Sequence, residues 1–141
     1  MAQKDSRRLA MVLPHLYPDL KNHIVDGDYH LQNDTNGEGT YVVWKNNEIS
    51  EPTNQELADA KEDAVNASWW KGLRSRRNRL LQSSDWSQGT DIPSDLKTSY
   101  ATYRTDLRDL PTAVTKPSFE TLNNQSVSEW DIKSLMPTKP E

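Results

Sequence analysis

Residues 69–111 read WWKGLRSRRNRLLQSSDWSQGTDIPSDLKTSYATYRTDLRDLP, and this stretch decides the fold. It joins two helical patterns through a polar connection and holds three of the five tryptophans together with the densest basic cluster. In its second half Leu96, Tyr100, Tyr103, Leu107 and Leu110 recur at steps of four, three, four and three. That is the spacing of a seam packed against another helix. Ser94 or Asp95 is the expected cap, and Pro111 the expected end. Arg104, Asp106, Arg108 and Asp109 fall outside the seam and are expected to pair with the preceding basic run or to meet solvent.

The first half continues a pattern that starts upstream. Thr53 fits a helix N-cap, and Glu56 stands three residues later to complete a capping box. From there Leu57, Ala60, Ala64, Val65, Trp69, Leu73, Leu80 and Leu81 mark an apolar stripe, with the helix expected to end near Gln82. Glu56, Asp59, Glu62 and Asp63 lie toward its start, whereas Lys71, Arg74, Arg76, Arg77 and Arg79 lie toward its end. The helix dipole favours that polarity. Gly72 costs about 1 kcal/mol relative to Ala inside a helix, which predicts a close approach or a slight bend there. Ser83–Pro93 is a turn-rich connection short enough to make the two helices antiparallel. Trp86 is expected to cap the hairpin core.

Residues 28–33 (DYHLQN) alternate as a half-buried strand does, 34–39 (DTNGEG) supply turn chemistry, and 40–45 (TYVVWK) are β-branched and aromatic. Together they predict a β-hairpin, with Ile49 starting a short third strand. Before it, Lys4, Arg7 and Arg8 make a basic start, and Leu9, Val12, Leu13 and Leu16 carry helical spacing interrupted by Pro14 and Pro18, which predicts an irregular arm. After Pro111 comes a polar, Pro-containing tail that needs a partner or the domain to hold it down. The expected fold is α+β: an N-terminal arm (1–27), a small β-hairpin (28–51), an antiparallel helical hairpin (53–111) and an extended C-terminal tail (112–141).

Only 33% of the 141 residues are hydrophobic, with a single Phe, and mean hydropathy is -0.93. Such a chain builds a modest core and lays segments on something else. A net charge of -4 argues against a generic nucleic-acid binder. Cysteine is absent, which excludes disulfides and thiolate metal sites. No apolar run approaches the roughly 20 residues of a membrane span, and the first residues lack a signal-peptide core. These features predict a soluble protein made in the cytoplasm.

Catalytic chemistry is not evident. His15, His23 and His30 have no metal-ligand spacing, and no nucleophile elbow or phosphate loop occurs. No enzyme, cofactor or metal is expected. The run Lys71–Arg79 beside Trp69 and Trp70 has the ingredients to neutralise phosphates and stack bases, but dipole-complementing charge with salt bridges to Asp106 and Asp109 is the preferred reading. An acidic protein partner stands between the two.

Two stretches carry a resemblance. The first, RSRRNRLLQSSDWSQGTDIP with YATYRTDLRDLP, resembles bacteriophage tail assembly chaperone or tail-fibre-assembly-associated domains. These have an Arg-Asn-x-Leu-Leu helix end (Arg77, Asn78, Leu80, Leu81), an Asp-Trp loop (Asp85, Trp86) and a Tyr-Arg…Leu-Arg-Asp-(Ile/Leu)-Pro end (Tyr103, Arg104, Leu107 to Pro111). The second, residues 28–57, is similar to the small β-segment that often precedes this hairpin. MPTKP at 136–140 resembles the family's Trp-Pro-x-x-Pro ending, with Met136 where Trp is usual. The Val114–Ser134 insertion and the N-terminal arm depart from the family.

The resemblance implies a non-enzymatic tail-associated protein that binds phage tail or tail-fibre subunits, is present in many copies in a symmetric assembly and does not engage membrane, and the two departures favour a virion adaptor over a transient chaperone, since a component that bridges neighbours uses long arms. Its location would be the host cytoplasm during assembly and then the virion tail. A transient assembly chaperone of the same fold is the alternative, and a small nucleic-acid-binding protein using Lys71–Arg79 a third. The candidate partner-binding residues are Trp70, Arg74, Arg76, Arg77, Trp86, Phe119 and Trp130, because aromatic and arginine anchors dominate interface energies.

Overall fold

A computed structural model describes residues 7–141; Lys4, part of the expected basic start, lies outside the described residues. The chain divides into two compact units, Met1–Ser68 and Trp69–Glu141. The boundary falls inside the longest helix.

In the first unit, α1 (Leu9–Leu16) leads into a hairpin of β1 (Tyr29–Gln32) and β2 (Tyr41–Trp44). The expected irregular arm is therefore two helical turns. Pro14 sits inside α1, where it removes one backbone bond. Leu9, Val12 and Leu13 more than offset that loss by burying completely against Tyr29, Leu57 and Ala64. The strands pair antiparallel with Tyr29 opposite Trp44 and Gln32 opposite Tyr41. The turn between them places Gly37 and Gly39 at φ 89° and 86°, as the run of positive-φ-tolerant residues predicts. Tyr29 stacks on Trp44 at 5.8 Å, and Tyr17 meets the same indole edge-on at 5.5 Å. The expected strand at Ile49 does not form. Asn46 Oδ1 accepts from the N–H groups of Glu48 and Ile49 and curls the segment into a turn.

The long helix α2 spans Asn54–Ser83. Thr53 Oγ1 accepts from Glu56 N–H at 3.1 Å, and its hydroxyl donates to the Glu56 carboxylate at 3.2 Å. The second bond goes to the side chain rather than the Thr53 backbone, so the capping box is half formed. Leu57, Ala64, Val65, Trp69 and Leu73 of the expected stripe are all buried.

In the second unit, residues 69–83 of α2 and α3 (Ser94–Ala113) form an antiparallel hairpin joined by a 3₁₀ turn at Asp85–Gln88. Tyr100, Tyr103 and Leu107 pack with Leu80, Leu81 and Leu96, so the predicted seam is the core. Two boundary expectations fail. Pro93 is the N-cap, with no side-chain capping bond from Ser94 or Asp95, and Pro111 lies within the last turn of α3. Pro111 withholds one donor, and Val114 N–H still closes the helix on Leu110 O at 3.1 Å.

The C-terminal segment is part of this core. α4 (Phe119–Asn123) buries Leu122, and Trp130 is 8% exposed with its indole N–H donated to Leu122 O at 3.1 Å. Met136 packs on the Tyr100–Tyr103–Leu107 cluster. A Cβ on Gly72 would stand 3.0 Å from Ile132 Cδ1, the close approach expected at that glycine. Trp130→Ala should cost about 3–5 kcal/mol in urea unfolding, the range for a large buried aromatic. Trp130→Phe, which keeps the packing and loses the indole bond, should cost only about 1 kcal/mol.

Candidate partner-binding surface

A helix ends with carbonyls that lack intrahelical donors. At the end of α2, Ser84 Oγ donates to Leu80 O at 2.9 Å or Leu81 O at 3.0 Å. Arg104 reaches across from α3: Nη1 donates to Leu81 O at 2.6 Å and to Ser84 Oγ at 2.8 Å, and Nη2 to Asp85 Oδ1 at 2.8 Å. The guanidinium thus sits where the helix dipole is negative and meets a carboxylate as well. Arg104 is 9% exposed. The expectation that it falls outside the packed seam is wrong. It stands beside Tyr103, and its long side chain lets the charge reach the helix terminus while the stem is covered.

This clamp holds the 3₁₀ turn. Ser87 is buried and donates its hydroxyl to Ser84 O at 2.6 Å. The braced turn presents Trp86, which is 50% exposed, its ring edge-on to Tyr100 at 5.0 Å. Tyr100 in turn meets Tyr103 edge-on at 6.0 Å. Trp86 therefore covers one end of the aromatic seam with one part of its surface and shows the rest to solvent.

The other expected contact residues are distributed unevenly. Trp70 is half-buried, lies edge-on to Trp69 at 4.9 Å, and carries the exposed Arg74 guanidinium 5.5 Å from its ring centre. Trp70, Arg74 and Arg77 follow i, i+4, i+7 and so share one face of α2. Arg77 donates to its neighbour Asn78 at 3.0 Å, and half-buried Arg76 keeps its Nε without a partner. The expected bridges from this run to Asp106 and Asp109 do not form. Ion pairs form elsewhere, at Lys21–Asp26 and Asp85–Arg104, and none among the described residues involves Arg74, Arg76, Arg77 or Arg79. The arginine charges are left for solvent or a partner. Phe119 is half-buried on α4. Trp130 borders an open hollow of about 200 Å³ with Trp69, Leu122 and Leu135, its ring largely inside the unit.

One feature of the first unit is not foreshadowed by the sequence pattern. The loop from Lys21 to Asp28 exposes Ile24 (67%) and Val25 (82%) on a tightly held backbone. Lys45 Nζ donates to His23 O and Ile24 O, both at 2.9 Å, while Asp28 accepts from Lys21 N–H at 2.8 Å and from Asn46 at 2.9 Å. Gly27 is required there, since a Cβ would stand 2.4 Å from His23 N. The bracing residues lie up to 22 positions apart, with no local periodicity to announce them.

Among the described residues no group of His, Cys, Asp or Glu is placed to hold a metal, and no helix is long and apolar enough to cross a membrane. Residues 70–130 match the model of a family described as phage tail assembly chaperone protein. Residues 9–68 match a second family, described as XkdW protein. No curated protein and no solved structure matches the chain. One match ends at Ser68 and the other begins at Trp70, on either side of the place where the fold divides.

Arg104→Lys should lose about 2 kcal/mol by urea unfolding, because an ammonium cannot reproduce the forked donors. Asp85→Asn should cost less than about 1 kcal/mol, since the Asp85 side chain is 65% exposed. In the Lys21–Asp28 loop, the Lys21 ammonium lowers the Asp26 pKa, and the Lys21 backbone N–H, then Asn46, lowers that of Asp28, both from the ordinary 3.8. A depressed folded-state pKa contributes stability that is complete above the unfolded value and lost as pH falls through the folded one. The protection factor of the Lys21 amide should therefore hold down to about pH 4 and fall below it, as NMR exchange rates corrected for their intrinsic pH dependence would show.

Proposed function

We propose that this chain, a phage tail assembly-related protein, is a non-catalytic assembly chaperone that binds a phage tail subunit through its second unit. The observation that carries the reading is the family match over residues 70–130, which spans the clamped helical hairpin and continues through most of the Val114–Ser134 segment expected to depart from the family. An adaptor retained in the virion is the competing reading, and it draws on the N-terminal arm and the Val114–Ser134 segment as arms that bridge neighbours. In the second unit the C-terminal segment instead buries Leu122 and Trp130 within the unit. That removes one premise of the adaptor reading and leaves a compact module.

The proposed contact residues are Trp86, Trp70, Arg74, Arg76 and Arg77, with Phe119 at the margin. Trp86 offers a rigidly held, half-exposed indole. Arg74 and Arg77 offer charges with no acidic partner among the described residues. Exposed aromatic and arginine groups on fixed backbone are the usual anchors of protein recognition, and unpaired charges select partners of opposite sign. Trp130 contributes by supporting the hairpin. The copy number and symmetry would follow those of the subunit it serves, and the site of action is the infected cell before the particle is complete.

Mass spectrometry of purified virions tests retention: absence of the chain is expected, and stoichiometric presence would establish the adaptor instead. The contact set is tested in phage carrying Trp86→Ala with Arg74→Ala and Arg77→Ala. Removing an anchor of this kind weakens binding by about tenfold or more, so the yield of tailed particles should fall while the purified variant stays folded by circular dichroism at the growth temperature. Normal yield would reject this surface.

A further inference from the structure

The register of the hairpin determines which backbone groups face outward. Lys45 N–H donates to Asp28 O at 2.8 Å, and this pair continues the register in which His30 faces Val43 and Gln32 faces Tyr41. Hydrogen-bonded and non-hydrogen-bonded pairs alternate along an antiparallel ladder. The N–H and C=O groups of Tyr29 and Leu31 on β1, and of Val42 and Trp44 on β2, therefore point away from the hairpin. On β1 the outward groups of Tyr29 are taken: its N–H donates to Lys21 O at 3.3 Å and its carbonyl accepts from His23 N–H at 2.9 Å. On β2 the outward groups of Val42 and Trp44 have no hydrogen-bond partner among the described residues.

We propose that this β2 edge pairs antiparallel with the β2 edge of a second copy of the chain, about a two-fold axis through Val43. In that register Val42 of one copy faces Trp44 of the other, and four hydrogen bonds satisfy every outward group of Val42 and Trp44 on both strands. The neighbouring registers are less favourable, because each calls on a group already engaged. Shifting one way asks for Thr40 O, which already accepts from Arg7 at 2.7 Å. Shifting the other way asks for Asn46 N–H, which already donates to Asp28 O at 2.9 Å. Charge agrees with the choice: Tyr41 would face Lys45, and no like charges would stand opposite each other. Nor does the Tyr41–Trp44 edge carry the Pro or charged side chain that commonly guards a strand from pairing. A two-stranded sheet is marginal alone, and the pairing makes it four-stranded. Four residues per copy form a small contact, so the association is weak and concentration-dependent. The proposal rests on strand register and is independent of the chaperone reading.

The chain has no cysteine, so a single introduced thiol reports on pairing in the full-length protein. Val43→Cys puts two thiols opposite each other at a non-hydrogen-bonded position, where Cβ atoms lie about 4.5–5.5 Å apart. Mild oxidation at micromolar protein should convert Val43→Cys to a disulfide-linked dimer at least about ten times faster than Gln32→Cys, which sits on β1 away from the axis; the first pair is held and the second meets by collision. Adding Val42→Pro removes an N–H that has no partner among the described residues, and should abolish the difference with the circular dichroism spectrum retained. Equal rates for Val43→Cys and Gln32→Cys would overturn the proposal even if the proline variant fails to fold. Cross-linking of Val43→Cys to a co-expressed tail protein, with none to itself, would also overturn it by showing that the edge takes a partner's strand.

Discussion

The second unit depends on one guanidinium. Arg104 belongs to α3, yet its hydrogen bonds are to the last carbonyls of α2 and to the turn between the two helices. Packing along the Tyr100–Tyr103–Leu107 seam brings the helices together but leaves their relative sliding weakly determined, since apolar contacts are non-directional. Two forked donors aimed at Leu81 O, Ser84 Oγ and Asp85 determine it. Burying a guanidinium is costly unless it is well bonded, and here Nε stays without a partner. The arrangement stands because the charge lies at the negative end of a long helix and close to a carboxylate that keeps its other side in water.

Periodic features were legible in the sequence and long-range ones were not. The a/d spacing of Leu96 to Leu110 identified the hairpin seam, and the Asp34–Gly39 run identified the β-turn, because both signals lie within a few residues of each other. The role of Arg104 is illegible for the opposite reason. Its partners lie 19 to 23 residues away, and an arginine beside a seam looks like any solvated charge. Pro14 and Pro111 break less than a helix-breaking residue predicts, since a proline that removes one helical bond is tolerated where apolar burial or a late position limits the damage. Of the expected contact residues, Trp86 stands half-exposed on its turn and Trp130 is largely buried, a distinction that spacing alone cannot make.

The division of the chain carries a second lesson. The two family matches lie on either side of the boundary between the two structural units, which falls within a helix that runs unbroken from Asn54 to Ser83. A boundary inside a helix is unreadable from composition, because the apolar stripe and the helix-forming residues continue through it. Leu57 and Ala64 serve the core of the first unit, whereas Leu80 and Leu81 serve that of the second. One element thus contributes side chains to two cores, and each core can be understood from its own contacts.

What each unit offers outward has a common physical form. Trp86 stands on a turn held by Arg104 and Ser87, and Ile24 and Val25 stand on a loop held by Lys45 and Asp28. Exposed apolar side chains on a mobile backbone bind weakly because ordering the backbone opposes the gain from burial. Here the ordering has been done during folding by polar bonds that a partner need not form. Preorganisation of this kind lowers the entropic cost of association without adding contacts. It also accounts for how a chain with so small a hydrophobic fraction keeps large apolar groups at its surface: the polar residues that deplete the core are the ones that brace the display.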